Sequence, residues 1–149
     1  MLKMLNTKIP VWVNILQIIL VVIMLVQVFM YFFNHQAIIA SGIPIEGVPM
    51  LKLVYEMGAR TATMALAAIF VLITQNPSQY LVVLLMNIAR EGQEMIIDPL
   101  FPLANAPATP TVDFWIHVVI VAIEVLAFIV VLRGLRRKDT VLVSQDAMK

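Results

Sequence analysis

Residues 80–98 read YLVVLLMNIAREGQEMIID, and the fold turns on them. The first half, Tyr80 to Met86, is apolar enough to sit in lipid. The second half places Asn87, Arg90, Glu91, Gln93, Glu94 and Asp98 in what reads as the same membrane-spanning helix. Ionisable groups at this density are expensive at membrane depth unless they face protein or water. The rest of the chain therefore has to bury this stretch.

Composition agrees. The chain has 149 residues, 62% of them hydrophobic, against roughly 45–50% in soluble domains. Its mean hydropathy is +0.97. Three further windows are long enough for a hydrocarbon core of ~30 Å. The expected fold is all-α: one integral-membrane domain, an antiparallel four-helix transmembrane bundle with spans at about 11–33, 51–73, 80–98 and 113–132. The first apolar stretch exceeds a signal-peptide core and reads as a retained span. A net charge of +1 gives no reason to expect nucleic acid. The absence of cysteine excludes disulfides, thiol nucleophiles and thiolate metal sites.

In chain order, Pro10 opens span one, and Trp12 and Tyr31 fit the two interfacial aromatic belts. Asn14 and Gln17 share a face near its start and read as wetted. Residues 34–50 are broken by Gly42, Pro44, Gly47 and Pro49, so a loop is expected there with at most a short helix over His35–Ala40. Span two carries Glu56 and Arg60, spaced i,i+4, among glycine, alanine and threonine that allow close helix approach. Gln75-Asn76-Pro77-Ser78 is a tight turn. Residues 101–111 hold Pro102, Pro107 and Pro110 and read as an extended loop. Asp113 is the expected cap of span four, which carries Trp115, His117 and Glu124. A polar tail, 133–149, follows and is expected to be mobile.

Arg133, Arg136, Arg137 and Lys138 lie on the same side as Lys3 and Lys8 if the spans number four. Positive charge marks the cytoplasmic face, which puts both termini inside a bacterial inner (plasma) membrane.

On span three Asn87, Glu91, Glu94 and Asp98 form one stripe, flanked by Arg90. On span four Asp113, His117 and Glu124 form another. These stripes should converge, together with Glu56 and Arg60 from span two. The carboxylates Glu56, Glu91, Glu94 and Glu124 outnumber Arg60 and Arg90. A dry site protonates such a surplus, recruits a cation or admits water.

Several uses of this cluster stay open. One is an outward-facing pocket built from Glu56, Arg60, Asn87, Arg90, Glu91, Glu94, His117 and Glu124. Its arginines would hold an anionic or carbonyl head, and its apolar walls a quinone, sterol or other amphiphile. Such a protein would be non-catalytic or an accessory subunit of a membrane redox or transport system. A second is an intramembrane enzyme of the isomerase type, with Glu91, Glu94 and His117 as proton-transfer candidates. A third is a structural subunit, a homo-oligomer or part of a membrane complex, in which the charges only lock helices together. Membrane lipid is a partner in every case. Glu91, Glu94 and His117 offer metal ligands, but no helix carries the Glu-x-x-His pair of di-iron bundles, and no metal or cofactor is assigned. A haem between His35 and His117, the only histidines, has no supporting pattern, and His35 reads as a loop residue.

The order of features resembles the DoxX-like group of small bacterial four-helix membrane proteins. The likeness lies in Phe32-Phe33-Asn34 closing helix one, the Gly/Pro loop after it, and Glu56-Met57-Gly58-Ala59-Arg60 opening helix two. Arg90 with a downstream acid on helix three and the basic end of helix four complete it. The dense run Arg90-Glu91-Gly92-Gln93-Glu94 and the proline-rich third loop depart from the pattern. The resemblance implies a four-helix membrane fold and, for some members, a link to quinone or redox partners.

Overall fold

The computed structural model describes residues 9–103, 105 and 109–146, with 137–146 described by backbone alone. The described residues form five helices: α1 (Val11–Phe33), α2 (His35–Ala40), α3 (Gly47–Thr74), α4 (Pro77–Leu100) and α5 (Pro110–Asp146). No strand occurs among them. Three segments are long and apolar enough to cross a membrane: Val11–Phe33, Gly47–Thr74 and Pro110–Arg136. Most of their apolar side chains point outward, Ile15, Ile18, Val22, Leu66, Phe70, Val119 and Leu126 among them. That distribution suits lipid as the surrounding solvent. The fourth long helix, α4, has the length but not the composition, because Arg90, Glu91, Glu94 and Asp98 interrupt its apolar run.

Local chemistry sets the helix ends. Pro10 is the N-cap of α1, and its carbonyl accepts from the Val13 and Asn14 amides. The Asn34 side chain accepts from the Ala37 amide and starts α2. Helix α3 begins at Gly47, four residues before the expected span. Pro49 falls in its first turn, where a missing N–H leaves no bond unmade. Gln75 ends it in the left-handed conformation, at φ 51°, and its amide bonds Val71. Asn76 then caps α4 through the Ser78 amide, with Pro77 in the first turn.

Two expectations are corrected at α5. The helix starts at Pro110 rather than Asp113, and Thr109, not Asp113, is the capping side chain, accepting from the Val112 amide at 3.4 Å. Asp113 is left one turn inside, free to reach another group. At the far end the helix does not stop near Leu132. Its backbone stays helical through Asp146. No proline interrupts 133–146, and Gly134 alone costs a helix only about 1 kcal/mol.

The helices pack most closely as α1 with α3 and α4 with α5. One buried cluster draws on all four long helices: Val13, Leu20, Val21 and Met24 from α1, Ala65, Ala68 and Val71 from α3, Tyr80, Val83 and Leu84 from α4, and Ala127 and Val131 from α5. The α1–α3 pair is tightest at Gly58. A Cβ built there would stand 2.8 Å from Tyr31 Cβ and 2.9 Å from Phe32 Cε2, so only glycine fits. Phe32 in turn stacks on Tyr55, with ring centroids 5.7 Å apart.

Asn14 is not simply wetted. At the end of the molecule where α3 turns into α4, it exchanges side-chain hydrogen bonds with Gln75, 3.2 Å in one direction and 3.1 Å in the other. Tyr80 donates its hydroxyl to the same Asn14 oxygen. Three elements are thereby tied at one end, and the charged residues gather at the other.

Candidate functional site

The charged end is built from the C-terminal halves of α1 and α4 and the N-terminal halves of α3 and α5. Helix α4 presents its stripe towards the core. Tyr80, Val83, Leu84, Asn87 and Glu91 are its buried residues, a helical i, i+3, i+4, i+7, i+11 pattern. The same helix thus buries apolar groups at one end and polar groups at the other.

Glu91 is the centre of the arrangement. It is 3% exposed. Its Oε1 accepts from the Arg90 guanidinium, and its Oε2 lies 2.9 Å from His117 Nδ1 on α5. Arg90 Nε is also 3.7 Å from Glu94 Oε1. The other face of the His117 ring looks towards two carboxylates at the end of the molecule. Nε2 stands 3.5 Å from Asp98 Oδ2 and 3.8 Å from Asp113 Oδ2. Those two aspartates are partly open to the surroundings, and the His117 side chain is only 12% exposed. Helices α4 and α5 are therefore joined by one imidazole with acids on both sides.

Glu124 sits two turns further along α5. It is 0% exposed, and neither carboxyl oxygen has a hydrogen-bond partner among the described residues. The charges that act on it are those of Glu91, Arg90 and Glu94. Asn87, one turn from Glu91, is 3% exposed and likewise has no partner for either amide atom among the described residues. Gln17 on α1, read from sequence as wetted, is 0% exposed and in the same condition.

Arg60 reaches a different part of the site. A cavity of about 460 Å³ opens between α1, α3 and α4. Arg60, Arg90, Gln93 and Glu94 line its polar side, with Gln27 and Tyr31 of α1. Met57, Met64 and Met86 supply much of its apolar wall. The sequence reading gives Tyr31 to an aromatic belt and leaves Gln27 outside the site, although their i,i+4 spacing near the end of a long apolar helix is a legible signal.

Of the sequence-selected residues, the structure brings together Asn87, Arg90, Glu91, Glu94, His117 and Glu124 around α4 and α5, and reaches Arg60 through the cavity. Glu56 does not join them. It is exposed and pairs with Lys52 at 3.7 Å, one turn earlier on α3, rather than with Arg60. Its i,i+4 relation to Arg60 holds, but Lys52 has the same spacing on the other side and lies towards the helix end. His35 is also separate. Its Nε2 donates to the Tyr31 carbonyl at 3.0 Å, and its ring lies against Tyr55. Both nitrogens of His117 face carboxylates.

Glu91, Glu94 and His117 each bring one ligand atom within 4.8 Å of the others, and so do Asp98, Asp113 and His117. In the first group the cationic partner is already supplied by the chain, since Arg90 bonds Glu91 and approaches Glu94. The site joins carboxylates, imidazole and guanidinium through hydrogen bonds and ion pairs, beside a cavity lined by Arg60, Arg90 and Glu94.

No family model, no curated protein and no solved structure matches the chain.

Proposed function

We propose that this chain is a four-span bacterial inner-membrane protein that binds a small amphiphilic ligand in its outward-facing half. The observation that carries this reading is the cavity between α1, α3 and α4, where Arg60 and Arg90 approach one space from two helices. Its volume falls within the roughly 300–1,000 Å³ range of small-molecule sites. Arg60, and the guanidinium of Arg90 that Glu91 and Glu94 already engage, give the cavity cationic donors suited to an anionic or carbonyl-bearing head. Methionine walls adapt to a flexible or irregular apolar body. A quinone or an anionic lipid has this combination of head and body.

Two features support counting α4 as the fourth span. Its 24 residues reach about 36 Å at ~1.5 Å per residue, and the hydrocarbon core needs ~30 Å. Its closest packing is against α5, and two of its polar groups, Asn87 and Glu91, are turned inward. Four spans place both termini on one side. The basic residues Arg133, Arg136, Arg137 and Lys138 make that side cytoplasmic. The charged cluster then faces outward. The DoxX-like resemblance points the same way, through the placement of its glycines, arginines and basic C-terminal segment.

The test is native mass spectrometry of gently purified protein, with organic extraction of the same sample. A stoichiometric bound amphiphile is expected in the wild type. It is expected to be lost in Arg60→Ala while helix content and monodispersity are kept. Wild-type protein that carries no adduct, or an adduct that persists in Arg60→Ala and Arg90→Ala alike, overturns the reading.

A further inference from the structure

The ligand cavity leaves one set of groups unused. Glu124 is fully buried, ionisable and without a hydrogen-bond partner among the described residues. Asn87 of α4 is also buried and without a hydrogen-bond partner among the described residues, but it is a neutral amide. Both lie about 20 Å from the charged end of their helices at ~1.5 Å per residue, close to mid-membrane. A buried carboxyl with nothing to bond is costly, more so when charged. The buried cluster of the four long helices is otherwise mostly apolar, with Gln17 and Asn87 also buried and unpartnered among the described residues.

A set of proton-exchanging groups leads towards it from the outer end. Asp98 and Asp113 are partly exposed and stand 3.5 Å and 3.8 Å from His117 Nε2. His117 Nδ1 is 2.9 Å from Glu91 Oε2. Among the described residues Glu91 and Glu124 are the buried carboxyls; no hydrogen bond joins them, so the last step between them needs a bridging water. An imidazole with carboxylates at both nitrogens can take a proton on one and release a proton from the other. We propose that Glu124 is a membrane-embedded proton-binding group, loaded from the outer face through Asp98 or Asp113, His117 and Glu91.

The steps balance. A proton from outer water adds to Asp98 or Asp113 and passes to Nε2 of a neutral His117 that carries its proton on Nδ1. The Nδ1 proton moves to Glu91, leaving the imidazole neutral with its proton on Nε2. Glu91 hands its proton through the bridging water to Glu124, which becomes the neutral acid. Unloading is the reverse. The ionisable groups around the path are Arg90, Glu91, Glu94 and Asp98 from α4, and Asp113 and His117 from α5. Tyr31 of α1 and Arg60 of α3 stand across the cavity. Arg90 is a positioning residue. By bonding Glu91 Oε1 it leaves Oε2 for His117. The proposed path ends at Glu124, the buried carboxyl without a partner among the described residues. It is an entry path to a binding group and not a channel.

The proposal is independent of the amphiphile and is tested on the full chain in lipid nanodiscs by infrared difference spectroscopy. A protonated-carboxyl C=O band is expected in the wild type. It should be absent in Glu124→Gln and should shift when water is exchanged for D2O. In His117→Gln the ring is replaced by a group that bonds but does not relay. The band should persist there and its deuterium shift should slow by about a hundredfold, the scale of a positioned proton-transfer group. No protonated-carboxyl band at any pH where the protein is folded overturns the proposal. So does a band retained in Glu124→Gln, or an unchanged exchange rate in His117→Gln. If Glu124→Gln fails to fold, glutamate labelled with carbon-13 at its side-chain carboxyl in wild-type protein replaces it. A protonated-carboxyl band that does not move with the label overturns the assignment, and the His117→Gln rate still decides the route.

Discussion

Glu91 Oε2 and His117 Nδ1 lie 2.9 Å apart and join α4 to α5 in the buried half of the molecule. The same carboxylate also holds Arg90. Removing it leaves a guanidinium and an imidazole facing each other with no acid between them. Glu91→Leu is expected to destabilise by about 3 kcal/mol, the cost of breaking a buried pair from one side. Thermal unfolding in detergent measures this. A change within error of the wild type would mean that water already screens the cluster.

Gly58 is where α3 meets α1 most closely. The nearest atom to an added methyl is Tyr31 Cβ, which is held by its own helix and cannot swing aside. Gly58→Ala is expected to cost about 1–3 kcal/mol through overpacking. It should also disturb the cavity lined by Tyr31, which bound-ligand stoichiometry would report. An alanine variant as stable as the wild type would show that the two helices separate without penalty.

Glu56 pairs with Lys52 on an exposed face. An exposed i,i+4 pair contributes only ~0.3–0.5 kcal/mol. Glu56→Ala is therefore expected to leave both stability and ligand capture close to wild type. Loss of the bound amphiphile in this variant would return Glu56 to the site.

Tyr80 is 0% exposed and reaches the Asn14–Gln75 pair with its hydroxyl. Tyr80→Phe keeps the ring packing and deletes one donor. The expected loss is about 1 kcal/mol, the usual net worth of one hydrogen bond. Its check is the unfolding midpoint, with Asn14→Ala as the partner in a double-mutant cycle. Additive effects would show that the hydrogen bond contributes nothing.

Much of this was legible before any coordinates. The extent of α1, Val11–Phe33, and of the short helix His35–Ala40 follows from one proline, one asparagine and an uninterrupted apolar run between them. The tight turn at 75–76 follows from Gln75-Asn76-Pro77. The α4 stripe was readable because helical spacing fixes which residues share a face. The cap of α5 was misplaced because Thr109 and Asp113 are both good capping residues. Sequence does not say which of them Pro110 will leave at the start.

The sequence by itself determined that this is a helical chain with membrane-length apolar segments, and that Asn87, Arg90, Glu91, His117 and Glu124 must find shelter. Composition and helical period act along one chain at short range, so they are visible in a line of residues. Only the tertiary structure decided the partners. It gave Glu91 to both Arg90 and His117, Glu56 to Lys52, and Asn14 to Gln75 and Tyr80. It left Gln17 and Glu124 buried without a partner among the described residues. The pairings between helices, Glu91 with His117 and Asn14 with Gln75 and Tyr80, depend on helix rotation and on contacts between residues far apart in the chain. A turn of one helix by a single residue, ~100°, would exchange them.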